Sequence, residues 1–143
     1  MTGSASISEA GTERFPTARL PPGRIASGDL GPLRPLAPDL IYPEFANAVW
    51  KRVGRDRLSP EDGTAIIATF LALPFEITSS SSLLVPAYRL AVEHRRSVYD
   101  ALFLALGLET GAEVVTADEP LYQAVHAHLP HVWWLGNWPQ RPQ

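Results

Sequence analysis

The sequence predicts a three-layer α/β domain in which helices cover a short parallel sheet. Helix and strand patterns follow one another in the order α, α, β, α, α, β, α, β, and strands that alternate with helices usually form a parallel sheet. The clearest unit covers residues 97–116, where an almost wholly apolar helix ends at Gly111 and a strand follows at 114–115. A helix that is apolar nearly all round is predicted to be buried.

Two helices are predicted at the start of the domain. The first covers residues 39–55, where apolar residues recur every four positions: Ile41, Phe45, Val49 and Val53. The second begins at Ser59, which is followed by Pro60 and then by Asp62 at the spacing of a capping box. Its buried face is predicted to contain Ile66, Ile67, Phe70 and Leu71.

The remaining elements follow from shorter patterns. Residues 75–78 alternate as a strand, and serines 79–82 are predicted to form a loop that caps a helix at 83–94. The apolar face of that helix is predicted to contain Leu84, Ala87, Tyr88 and Ala91. A helix at 121–128 and a strand at 132–135 complete the domain. The predicted core contains Phe45, Val49, Ile66, Phe70, Ile77, Leu84, Leu102, Leu106, Val114 and Val115.

Length and composition limit the possible classes of protein. The 143 residues suffice for one domain, and without cysteine the chain has neither a disulfide nor a thiolate metal site. The net charge is −3 and Lys51 is the only lysine, so composition alone does not indicate a nucleic-acid-binding protein. Because no apolar run reaches about 18 residues and no secretory signal is visible, we expect a cytoplasmic protein without membrane spans.

The domain is predicted to follow a separate leader. Residues 1–36 are rich in Pro, Gly, Ser and Arg and lack regular periodicity, which is typical of a flexible segment. We therefore predict a leader at 1–36, the domain at 37–138 and a short tail at 139–143.

Two acids at element ends are candidates for a functional site. Asp100 lies in the first turn of the apolar helix, and Asp118 lies just beyond the strand at 114–115. In parallel α/β sheets, ligands bind at the carboxyl ends of strands, so these side chains can meet there. The alternative is that Asp100 completes a capping box with Ser97 and Asp118 is an N-cap, since both roles are common. Glu44, in the first turn of the first helix, can likewise be a surface residue favoured by the helix dipole.

Residues 35–138 resemble the PIN-domain ribonucleases, in particular the VapC-type toxins of toxin–antitoxin modules. The matching segments are 38–51, 98–105 and 115–118, which contain Glu44, Asp100, Thr116 and Asp118. The resemblance implies an endoribonuclease that hydrolyses RNA with Mg²⁺ or Mn²⁺ held by Glu44, Asp100 and Asp118. It also implies that Thr116 lines the site and contacts the substrate, that a cognate antitoxin binds the protein, and that the protein forms a homodimer.

The resemblance does not extend to the first strand of the family. That strand is apolar, lies inside the sheet and carries an Asp that binds metal, whereas residues 1–36 contain no such pattern. We therefore expect a PIN-like α/β/α domain that lacks its first strand. The alternative function is a catalytically impaired or truncated domain that acts only as an antitoxin-binding or RNA-binding module.

Two other classes of protein are less well supported by the residues. A receiver domain of a two-component system needs a lysine on its last strands, but Lys51 lies on the first predicted helix. A zinc site could use His126, His128 and His131, but their spacing is not the i, i+4 that places two ligands on one helix face.

Overall fold

The fold is seen in a computed structural model that describes residues 19–20, 35–55 and 57–137. Five helices lie in this part of the chain: α1 Ile41–Val53, α2 Pro60–Leu71, α3 Ser80–His94, α4 Val98–Thr110 and α5 Glu119–Val125. The strands are β1 Arg19–Leu20, β2 Leu36–Pro38, β3 Glu76–Thr78, β4 Glu113–Thr116 and β5 Val132–Trp134. A 3₁₀ turn, Leu135–Asn137, follows β5. The predicted α/β class with short parallel strands is confirmed.

The strands form two small sheets. Strands β2 and β3 are parallel, with Ala37 opposite Ile77, and β4 and β5 are parallel, with Val115 opposite Trp133. The other edge of β4 pairs with β1 in the antiparallel direction. Among the described residues no strand joins β2 to β4. Strands β1 and β2 were not predicted from the sequence, and the boundaries of the leader and tail remain predictions.

Helix α4 lies at the centre of the core. All residues from 101 to 107 are buried, which confirms the prediction from its apolar circumference. One hydrophobic cluster joins α4 to α3, α5, β4 and β5, and a second joins Phe103 of α4 to Ala37, Ile41 and Phe70. None of the helices in the described ranges is long and apolar enough to span a membrane.

The predicted core is correct in part. Val49, Phe70, Leu102, Leu106 and Val114 are buried. Phe45 and Val115 are half-buried. The prediction was wrong for three residues that are exposed: Ile66, Ile77 and Leu84.

The exposure of these three residues follows from where each one lies on its helix or strand. Helix α3 begins at Ser80, so serines 80–82 are helical and do not form a loop, and its inner face is Leu83, Ala87, Leu90 and Ala91. Leu84 and Tyr88 lie on the outer face of that helix, where their side chains are 50% and 60% exposed. Helix α2 buries Gly63 and Phe70, and Ile66 lies at the edge of that face, where its side chain is 40% exposed. Ile77 lies in β3, which has β2 as its one partner among the described strands and is largely exposed.

Asp39 has a role that the sequence did not reveal. The sequence predicts that the first helix begins at Asp39, but α1 begins at Ile41, and its N-cap residue Leu40 makes no side-chain cap. The Oδ1 atom of Asp39 instead accepts the backbone N–H of Ser80 at 3.0 Å and also the Ser80 hydroxyl. Ser80 is the first residue of α3, so Asp39 links the end of β2 to the amino terminus of a helix 41 positions away. These hydrogen bonds lower the pKa of Asp39 below its ordinary value of 3.8.

Asp39→Ala is expected to destabilise the domain by about 1 kcal/mol at pH 7, the usual cost of losing a helix cap. Because the pKa of Asp39 is lower in the folded protein, its contribution is fully present above pH 3.8 and is lost as the pH falls through the folded pKa. The difference in unfolding free energy between the two proteins, measured in urea from pH 7 to pH 3, should therefore shrink below pH 4. An equal difference at pH 7 and pH 3 would show that the Asp39 charge is not involved.

Candidate functional site

The turn between α4 and β4 determines where Asp100 and Asp118 lie. Gly111 makes this turn with φ of +66°, and Gly107 of α4 packs closely against Val114 of β4. From that contact, seven residues of helix lead back to Asp100, a rise of about 10 Å, and β4 runs two residues on to Thr116, which is two residues before Asp118. The backbone positions of Asp100 and Asp118 therefore both lie toward the end of the α4–β4 unit that is opposite the Gly111 turn. A site shared by their carboxylates remains a prediction.

Asp100 is paired with Ser97 at the spacing of a capping box at the start of α4. Its backbone N–H donates to Ser97 Oγ at 3.1 Å, and the Ser97 hydroxyl donates to Asp100 Oδ2 at 2.8 Å. These two bonds hold the side chain in one orientation at the helix terminus, where the dipole favours negative charge.

Asp118 is the N-cap of α5 and lies two residues beyond the end of β4. Its Oδ1 atom accepts the backbone N–H of Leu121 at 2.9 Å, and its own N–H donates to Thr116 Oγ1 at 3.0 Å. Because it accepts this hydrogen bond, the Thr116 hydroxyl helps to fix the backbone around Asp118. Thr116 itself is only 3% exposed. The role of Thr116 in contacting a substrate remains a prediction.

Glu44 lies in the first turn of α1 and is half-buried. Ile41, three residues earlier in the same turn, packs in the same cluster as Phe103, which is three residues after Asp100. This packing brings the first turn of α1 close to the first half of α4. The structure therefore places Glu44 on an element that adjoins the helix of Asp100.

The capping roles of Asp100 and Asp118 are confirmed by these hydrogen bonds. A cap occupies one carboxylate oxygen, so capping and metal binding are compatible roles for the same side chain. In residues 35–55 and 57–137, however, no three His, Asp or Glu residues form a group that could hold a metal ion. Convergence of Glu44, Asp100 and Asp118 on one ion therefore stays a prediction.

The three histidines of the zinc alternative lie in different surroundings. His126 stacks on Tyr122 with 4.7 Å between ring centroids, and the ring of His128 lies 5.9 Å from that of His94. His131 is half-buried at the start of β5, where burial lowers its pKa. The described part of the chain thus gives no support for a site shared by these residues.

An open cavity of about 570 Å³ lies at the connection between α1 and α2. It is lined by Val53, Arg57, Leu58, Ser59, Pro60 and Asp62. Glu44, Asp100 and Asp118 do not line it, so this cavity is not the predicted acidic site.

Comparison with known proteins gives one informative similarity. The chain is 32% identical over 87 residues to Ribonuclease VapC3 of Pyrobaculum aerophilum. The match covers 58% of this chain and 65% of that protein, which is slightly less than two thirds of its length. No protein-family model matches the chain. The similarity supports a relationship to VapC-type ribonucleases, in agreement with the resemblance seen in the sequence.

Proposed function

We propose that this protein is an endoribonuclease toxin of a toxin–antitoxin module and hydrolyses RNA phosphodiester bonds with Glu44, Asp100 and Asp118. The observation that supports this most directly is the placement of Asp100 and Asp118 at one end of the α4–β4 unit. The similarity to a protein named as a ribonuclease supports the same reaction class.

The proposed cofactor is Mg²⁺, or Mn²⁺ in its place. Carboxylate oxygens are the ligands such hard ions prefer, so the donor atoms of Glu44, Asp100 and Asp118 fit the ion in kind. When bound, the ion would make water a better nucleophile and offset negative charge on the phosphate. The chain itself orients the donors, because the Ser97 hydroxyl holds Asp100 and the Leu121 N–H holds Asp118.

The decisive experiment is RNA cleavage by the purified chain. We expect cleavage in Mg²⁺, loss of cleavage in EDTA, and recovery when excess Mg²⁺ is added. The Asp118→Asn variant, purified in the same way, controls for contaminating ribonucleases and should not cleave RNA. It should still fold, because Asn is as good an N-cap as Asp. Equal cleavage by both proteins, or cleavage that EDTA does not reduce, would contradict the proposal.

The proposed partners are a cognate antitoxin and a second copy of the chain. The outer face of α3 carries four large apolar side chains that are at least half exposed: Leu84, Val85, Tyr88 and Val92. Because exposed apolar surface of this kind often marks a protein interface, this face supports the proposal of a protein partner. An arginine or lysine of the antitoxin would complement the acids of the site.

The alternative function is a binding module without catalysis. It is favoured by one observation, that no three-residue metal-binding group lies in the described parts of the chain. The two functions differ in one measurement. A binding module would still form a complex with the antitoxin or RNA, but it would not cleave RNA at any Mg²⁺ concentration.

A further inference from the structure

We propose that Trp50, Lys51, Arg55 and Arg57 form an RNA-binding surface, called here the basic patch, separate from the acids. This inference rests on the proposed function, because it takes single-stranded RNA as the ligand. In the basic patch, the indole of Trp50 would stack on a base while the cationic side chains contact phosphates.

The backbone brings these four residues to one end of α1. Trp50 and Lys51 lie in its last turn. The backbone N–H groups of Arg55 and Arg57 both donate to the carbonyl oxygen of Arg52, at 3.3 and 3.1 Å. The chain after the helix therefore curls back over the helix end and keeps both arginines near the last turn. All four residues are exposed, and Trp50 is 68% exposed, the highest value among the large exposed apolar side chains of the described residues.

The distribution of charge favours this surface for phosphates. The chain has a net charge of −3, but four of its twelve Lys and Arg residues lie between positions 51 and 57. The predicted catalytic residues are carboxylates, which repel the RNA backbone unless a cation is bound. A substrate with many phosphates therefore needs a cationic surface elsewhere, and residues 51–57 are the densest run of cations in the sequence.

A purely structural explanation accounts for only part of the patch. Cations in the last turn of a helix complement its dipole, which suits Lys51 and Arg52. It does not explain why Arg55 and Arg57 follow the helix, or why Trp50 in the last turn is exposed to water. Aromatic side chains among cations are typical of surfaces that bind single-stranded nucleic acid, where each stacked base contributes to affinity.

The test measures binding by the full chain to a fluorescent single-stranded RNA of about 12 nucleotides, in EDTA to prevent cleavage. Trp50→Ala should weaken binding about tenfold, and Trp50→Phe should retain most of the affinity because it can still stack. The double variant R55A/R57A should also weaken binding. Between about 50 and 200 mM salt, it should reduce the slope of log affinity against log salt by roughly 1.4, the contribution of two phosphate contacts.

Arg89→Ala is the matched control, since Arg89 is exposed on α3 and lies outside the basic patch. It should bind as the wild type does. The proposal is overturned if the wild type does not bind the RNA, if the patch variants bind as tightly as the wild type, or if Arg89→Ala loses as much affinity. It is also overturned if Trp50→Ala weakens only the antitoxin complex, because the patch would then be a protein interface.

These measurements test RNA binding by the basic patch and ribonuclease activity independently of each other. Normal RNA binding by the patch variants, together with Mg²⁺-dependent cleavage by the wild type, would overturn the basic patch and leave the ribonuclease in place. Loss of RNA binding in the patch variants of a chain that never cleaves would support the basic patch and reject the ribonuclease.

Discussion

Gly107→Ala is expected to destabilise the domain by about 2 kcal/mol. A Cβ at this position would lie well inside contact distance of Val114 Cγ2, and 3.2 Å from the carbonyl oxygen of Ala112. Alanine is the better helix former by about 1 kcal/mol, but overpacking a buried contact costs about 3 kcal/mol at the upper end of its usual range. The steric term should prevail because α4 is buried along residues 101–107 and β4 cannot move away without disturbing β5.

Thermal or urea unfolding measures this loss of stability. In thermal unfolding, Gly107→Ala should lower the melting temperature by roughly 5–10 °C. Gly111→Ala is a useful comparison because Gly111 has φ of +66° but no atom within 4 Å of an added Cβ. It should cost about 1 kcal/mol through backbone strain alone.

A second substitution distinguishes the two mechanisms. Val114→Ala removes the methyl group that the new Cβ of Gly107→Ala would contact too closely. The double variant G107A/V114A should therefore recover part of the stability that Gly107→Ala loses. In a protein that carries Gly111→Ala, Val114→Ala should lower the free energy of unfolding further, by the cost of the cavity that it leaves. If Val114→Ala lowers stability equally in both backgrounds, the close contact between α4 and β4 does not limit position 107.

The same region shows why some of the fold could be predicted from sequence. Helix α4 is apolar on almost every side, so its burial did not depend on choosing a face. Its limits are signalled locally by Ser97 and Gly111, whose roles as N-cap and C-cap are confirmed. The capping roles of Asp100 and Asp118 were also readable, because each depends on residues only three positions away.

The errors arose where a pattern allowed two answers or where partners are distant. Helix α3 has apolar residues on both sides. Its periodicity therefore could not decide whether the buried face contains Leu84 and Tyr88 or Leu83 and Leu90. Strand β2 is too short for alternation and ends in Pro38, which argues against a strand in the sequence. The bond between Asp39 and Ser80 has no local signal, because the partners meet only after β2 and β3 have paired.

Asp100→Asn is expected to reduce RNA cleavage at least about 100-fold while leaving the fold largely intact. A divalent ion contributes several kcal/mol of transition-state stabilisation, and each 1.36 kcal/mol corresponds to a factor of ten in rate. Removing one of three charges that would hold the ion should forfeit a large share of that contribution. The amide of Asn can still accept the Ser97 hydroxyl, so the stability cost should be limited to the lost helix-dipole interaction, about 0.3–1 kcal/mol.

The chain provides a matched control for this variant in α2. Ser59 and Asp62 form the same capping box, with a hydroxyl-to-carboxylate bond of 2.8 Å and a backbone-to-hydroxyl bond of 3.0 Å. Asp62→Asn should therefore lower the free energy of unfolding about as much as Asp100→Asn does, but it should leave Mg²⁺-dependent cleavage unchanged. Equal cleavage by the two variants would mean that Asp100 is only a cap, whereas a selective loss in Asp100→Asn would show that its charge serves the reaction.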